Sequence, residues 1–140
     1  MLNTVHVNWK EKMQFDATVP GGVIPLDADE AVGGEGQGAR SKPLMLAALA
    51  GCTAMDVASL IKKMRAEVDD FSIDVSGDLT DEHPKFYKTV KVVYDFYGAD
   101  MKKDKIQKAV DLSVERYCGV MEMFRKFAEI EIVVNFHEKE

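Results

Sequence analysis

Cysteine, proline and tryptophan are scarce: two, four and one of them occur in the 140 residues. Two thiols are too few for the disulfide framework of a small secreted domain, and Cys52 and Cys118 stand too far apart for the paired spacing of a zinc site. Positive charge is also short. Lys and Arg number 18 against 24 Asp and Glu, a formal net charge of −6, which disfavours non-specific binding to nucleic acid or to an anionic membrane surface. Long apolar runs are missing as well. The densest, Leu44 to Ala50, is far shorter than the roughly 20 residues of a membrane helix, and MLNTVHVNWKEK has no apolar core behind a basic start, as a secretory leader would. The expectation is a cytoplasmic chain forming one domain over residues 1–140, with small molecules or proteins as partners and no nucleic acid or membrane.

What is present is periodicity. Val5, Val7, Trp9, Met13 and Phe15 alternate with polar residues, and Pro20-Gly21-Gly22 makes a turn into Val23 to Leu26, so the chain opens on short strands. Asp27 to Arg40, rich in glycine and acid, reads as a flexible surface loop. Its GGEGQG lacks the GxGxxG order of a phosphate cradle, and no cofactor is expected. Ser41 and Pro43 suit a helix start, and LMLAALAGCTAMDVASL, apolar on nearly every face until Asp56, predicts a long helix buried all round. Lys62, Lys63 and Arg65 then complement the helix dipole.

Phe71 to Leu79 and Val90 to Phe96 alternate as two strands of a hairpin. Ile106, Val110, Val114 and Cys118 recur at steps of four and place Cys118 at the inward end of a second helix. After a break at Gly119 come a short helix, Val120 to Ala128, and a last strand through Ile130, Ile132, Val134 and Phe136. Strands grouped with strands indicate an α+β fold with helices packed on an antiparallel sheet.

The two thiols have two readings, inert burial or redox chemistry through a thiolate. Small neighbours, Gly51 and Thr53, leave room for a substrate beside Cys52, and both cysteine-bearing helices must pack on a common sheet, so contact between the thiols is allowed. A reactive Cys52 needs a donor or cation to lower its pKa, and nothing adjacent in sequence supplies one. His6, His83 and His137 are scattered and read as solvated. Met45, Met55, Met64, Met121 and Met123 read as core gap-fillers. Tyr94, Phe96 and Tyr117 read either as core residues or as the lining of an apolar pocket.

The stretch GARSKPLMLAALAGCTAMDV, with RYCGV downstream and a terminal helix and strand, resembles the family of osmotically inducible protein C (OsmC) and organic hydroperoxide resistance protein, and within it the OsmC-like YhfA branch. The resemblance implies an intertwined homodimer whose antiparallel sheets enclose the long helices, with thiol sites at the dimer interface. It also implies that Cys52 attacks an organic hydroperoxide to become a sulfenic acid, that Cys118 condenses with it to a disulfide, and that an external dithiol reduces the bond. In peroxidases of the family an arginine from the N-terminal strands and a glutamate upstream of the first cysteine clamp the thiolate. Here Lys42 or Pro43 stands at that upstream position and no arginine precedes Arg40. Arg40 is therefore the candidate replacement cation, Glu30 and Glu35 are the candidate carboxylates, and the loop 27–40 is the candidate cover. The alternative expectation is a non-enzymatic binding protein of the same fold, holding a small apolar molecule at the dimer interface with unreactive cysteines.

Overall fold

Alternation of apolar and polar side chains builds both sheets of this protein. The computed structural model describes residues 1–139, and its backbone divides into two units, Met1–Met45 and Leu46–Glu140. In the first, β1 (His6–Glu11), β2 (Gln14–Val19) and β3 (Gly22–Leu26) form an antiparallel meander in that order. The β2–β3 turn uses Gly21 at φ 95°, backbone space that glycine enters without strain. β1 is exposed along its whole length, with Trp9 67% exposed.

The loop after β3 differs from the flexible segment that its composition suggests. The buried Asp27 carboxylate accepts the backbone N–H groups of Ala28 (2.7 Å), Gln37 (2.9 Å) and Glu35 (3.1 Å), folding the chain around itself, and a single 3-10 turn, Glu30–Val32, follows. The Gln37 bond is the foremost cause that holds Asp27 below the ordinary carboxylate range, with burial opposing it. Glycine at position 34 is obligatory, because a Cβ there would meet the Ala28 carbonyl oxygen at 1.8 Å. Local hydrogen bonding supplies the order that an apolar anchor would otherwise give.

The second unit carries α1 (Pro43–Met64, from Leu46 onward), β4 (Asp70–Leu79), β5 (Tyr87–Gly98), α2 (Lys103–Leu112), a π-helical turn (Ser113–Tyr117), α3 (Gly119–Arg125) and β6 (Glu129–Glu138). Its sheet runs β4-β5-β6. β4 and β5 are antiparallel, with Ile73 opposite Tyr94, but β5 and β6 are parallel, with Tyr94 beside Val134. The sheet is therefore mixed and not wholly antiparallel as the sequence suggests. A parallel neighbour needs a long crossover, which α2, the π turn and α3 provide. Val90, Val92, Tyr94 and Phe96 on the inner face of β5 are buried, and Phe96 stacks between Phe71 (5.5 Å between centroids) and Phe136 (6.1 Å).

Three sequence expectations need correction here. α1 is not buried all round: among its described residues Leu49, Thr53 and Val57 are the fully buried ones, a stripe at steps of four, while Ala47, Ala48, Met55 and Ala58 are exposed, Met55 at 77%. A single chain covers one face of this helix and leaves its other apolar face open. Over its 22 residues, α1 is also long and apolar enough to cross a membrane by length and composition, which the shorter Leu44–Ala50 run is not. Its buried stripe packs in the core of its own unit. Nor are the methionines all gap-fillers, since Met121 is buried whereas Met45, Met55 and Met123 are exposed.

The third correction concerns Cys118. The α-helical stripe keeps Ile106, Ala109 and Val110 inside, then stops at Leu112. Over the π turn the Cys118 N–H reaches back to the Ser113 carbonyl (2.8 Å), and Cys118 takes an extended conformation as the N-cap of α3. The insertion of one residue into the turn breaks the step of four, so Cys118 lies between two helices and not at the end of one stripe.

Because Phe96 is fully buried between two other rings, Phe96→Ala is expected to cost about 3–5 kcal/mol of stability. Urea titration followed by circular dichroism checks this; a loss near zero would contradict the packing described.

Candidate active site

Both cysteines lie in the second unit, near enough for Cys52 to act on the Cys118 thiol. Cys52, in the middle of α1, is half-buried, while Cys118 is 3% exposed. Sγ of Cys118 caps α3 by accepting the Met121 N–H at 3.3 Å. Burial pushes the Cys118 thiol well above the ordinary range; the neighbouring Cys52 side chain adds to the rise by hydrogen bonding and by charge, Asp56 adds by charge, and the Met121 N–H works against it. Cys118 is therefore a protonated thiol at neutral pH, and Cys52 is the one that solvent reaches. Two adjacent thiols of this kind, one accessible and one sheltered, can pass between dithiol and disulfide.

A buried polar chain runs beside them. Thr53 Oγ1 lies 2.7 Å from the Tyr94 hydroxyl and 2.7 Å from Ser113 Oγ, and Ser113 donates to Asp56 Oδ2 at 2.8 Å. Thr53, Tyr94 and Ser113 are completely buried and Asp56 is half-buried. These bonds join α1, β5 and the π turn, and they satisfy hydroxyls that would each cost about 1–3 kcal/mol if left unpaired. Burial raises the Tyr94 phenol to about 12, with the Thr53 bond working against it and Cys118 and Asp56 adding by charge. Asp56 has no salt-bridge partner among the described residues.

Sequence reasoning singled out the two cysteines but not this chain. Thr53 entered it as a small neighbour, Asp56 as the end of an apolar stretch and Tyr94 as core or pocket lining. The available signal was a threonine and an acid one helical turn apart on a helix otherwise apolar on nearly every face.

The remaining candidates have partners of their own. Arg40, in the first unit, donates from Nε to Asp29 Oδ1 (2.6 Å) and from one terminal nitrogen to the Gly38 carbonyl (2.6 Å), so its head is spent on its own loop. Glu35 is met by Lys12 Nζ at 3.2 Å and Gln14 Nε2 at 3.3 Å, and Glu30 starts the 3-10 turn. His6 contacts Asn8, His137 contacts Asp95 at 2.8 Å, and no group of three or more metal-ligating side chains occurs among the described residues. Tyr94 and Phe96 are core, whereas Tyr117 is exposed.

Residues 34–133 match the family model described as OsmC-like protein. Protein YhfA of Escherichia coli is 32% identical over 126 residues, covering 89% of this chain and 90% of its own. A hypothetical protein of Aquifex aeolicus has a similar crystal structure, with a TM-score of 0.87 and 26% identity over 100% of this chain and 99% of that one. The organic hydroperoxide resistance protein OsmC of Legionella pneumophila shares the fold at a TM-score of 0.68 and 16% identity, over 96% and 97% of the two chains.

The difference in exposure between the thiols predicts ordered alkylation. Iodoacetamide is expected to label Cys52 in the folded protein and Cys118 only after denaturation, read by peptide mass mapping; equal labelling would contradict the geometry. The raised Cys118 pKa has a pH consequence. Its contribution to stability is complete below the unfolded thiol's value, ordinarily 9.0, and is lost as pH climbs from there toward the higher folded value. Stability should therefore fall across that alkaline window, and Cys118→Ala should flatten the decline in urea melts taken at stepped pH.

Proposed function

This chain belongs to the OsmC-like family, and on that premise we propose that it is a thiol-dependent peroxidase for organic hydroperoxides, serving oxidative stress defence. The observation that carries the reading is the pairing of a half-buried Cys52 with a buried, protonated Cys118. The Cys52 thiolate attacks the distal oxygen of the hydroperoxide; the O–O bond breaks, the alkoxide takes up a proton and leaves as an alcohol, and Cys52 becomes a sulfenic acid. Cys118 then attacks the Cys52 sulfur, the S–O bond breaks, and water leaves as the disulfide forms. A small external dithiol reduces the disulfide, returning both thiols. The apolar surroundings of Cys52, with Leu49, Gly51 and Met55 within a turn of it, favour an alkyl or aryl hydroperoxide over hydrogen peroxide.

The working form is a homodimer in this reading. An exposed face of α1 made of Ala47, Ala48, Met55 and Ala58, and the exposed Val7 and Trp9 of β1, are apolar surfaces that a second copy would bury. A reducing cytoplasm suits the cycle, because it holds both cysteines as thiols between turnovers.

A second reading, a binding protein for a small apolar molecule, is favoured by one observation: Arg40 is already occupied by Asp29 and Gly38. Thiol reactivity separates the two readings. With cumene hydroperoxide, Cys52→Ser is expected to lower peroxide loss to the uncatalysed background, and Cys118→Ser to stop after one turnover with a dimedone-trappable sulfenic acid. Wild-type thiols that survive the peroxide unchanged would move the assignment to ligand binding. For the dimer, Met55→Arg is expected to shift the sedimentation coefficient from dimer to monomer; no change would contradict the α1 interface.

A further inference from the structure

Ser113 is hydrogen-bonded to residues that flank one cysteine and to the backbone of the other. Its hydroxyl donates to Asp56 Oδ2 at 2.8 Å, which spends its single proton, so it accepts from Thr53 Oγ1 at 2.7 Å. Thr53 directly follows Cys52, and Asp56 lies one helical turn beyond it. The two bonds grip residues three apart on one face of α1, so they fix both the rotation of that helix and its slide past the π turn; one bond would leave the rotation free. The carbonyl of the same residue accepts the Cys118 N–H at 2.8 Å. Ser113 is completely buried, so solvent does not compete for these bonds. Among the described residues, the hydrogen bonds between α1 and the π turn all converge on it.

A disulfide has a narrow geometric window, roughly 4.4–6.8 Å between Cα atoms with a dihedral near ±90°, and here its two sulfurs come from separate elements. We propose that Ser113 is the positioning residue of the dithiol: it holds α1 by its hydroxyl and Cys118 by its carbonyl, and so sets how readily Cys118 reaches the Cys52 sulfur to close the disulfide. The inference rests on the Cys52–Cys118 pairing proposed above, and not on which oxidant is used. In the closing step the Cys118 thiol loses its proton to solvent, its sulfur bonds to the Cys52 sulfur, and the bond from Cys52 to its leaving group breaks, the leaving group taking the electron pair. Ser113 acts through the backbone and through Thr53 and Asp56, on the distance and angle of approach, to which such displacements respond steeply.

Dithiobis(nitrobenzoate) follows closure without any peroxide. On the reduced protein Cys52 forms a mixed disulfide and releases one thionitrobenzoate, in a phase proportional to reagent; Cys118 then displaces the second in a first-order phase. In Ser113→Ala the first phase is expected to keep the wild-type rate and the second to slow on the order of 10-fold. In dithiothreitol redox buffers the equilibrium should shift about tenfold toward the dithiol, because closure is slowed and opening by an external thiol is not. Ser113→Thr, which keeps the hydroxyl, should restore both readouts, and Thr53→Val, which removes one of the two grips on α1, should slow the second phase as Ser113→Ala does. Val110→Ala controls for simple loosening: it removes buried packing from α2 and leaves these bonds in place, so its melting temperature should fall while its second phase stays near wild type. Thermal melts identify any variant that fails to fold, and Thr53→Val keeps the test available if Ser113→Ala is one. A wild-type second phase in folded Ser113→Ala or Thr53→Val, or a Val110→Ala variant slowed as much as Ser113→Ala, overturns the positioning role and leaves the cysteine pair intact. A wild-type protein that shows no first-order second release, with two separately labelled thiols, overturns the pairing and the positioning role together.

Discussion

The second unit depends on the satisfaction of one hydroxyl. Thr53 stands in the buried stripe of a helix whose other buried members are Leu49 and Val57, and it bonds to Tyr94 of β5 and Ser113 of the π turn at 2.7 Å each. An unpaired hydroxyl in such a core costs about 1–3 kcal/mol, and three of them share this point. Turning α1 by one residue would bring Cys52 or Ala54 to the junction and orphan Tyr94 and Ser113. Apolar packing alone would tolerate small rotations of the helix; this junction does not, and it thereby sets where Cys52 stands on the rim of the core.

Cys118 arrives at the same place by a different device. A regular helix from Lys103 would carry the Ile106 and Val110 stripe onward, but the π turn takes up one extra residue, releases the chain into an extended conformation and makes Cys118 the first cap of α3. The turn also delivers Ser113 to Thr53. One local irregularity therefore positions both the sheltered thiol and a member of the hydroxyl chain, which is where departures from regular helix commonly fall.

Much of this was legible in the residues. Strand alternation located β4, β5 and β6, Pro43 marked the start of α1, and the cysteine motif pointed to the family. Three things were not. The parallel pairing of β6 with β5 leaves no period in the sequence, because parallel and antiparallel strands alternate alike. The π turn is invisible to a step-of-four reading, which carried Cys118 onto the wrong element. The order in the loop 27–40 comes from backbone N–H groups of the loop itself meeting Asp27, an arrangement that glycine-rich composition conceals. The open face of α1 shows the converse: composition marked the whole helix as buried, and a single chain buries one stripe of it.

The central claim is that Cys52 and Cys118 form one redox unit. Its most direct test is a non-reducing peptide map of the folded protein after one equivalent of organic hydroperoxide. The account predicts a single cross-linked species joining the peptides of Cys52 and Cys118, which dithiothreitol resolves. Overoxidised Cys52 beside a free Cys118, or disulfides joining like cysteines of different chains, would contradict it.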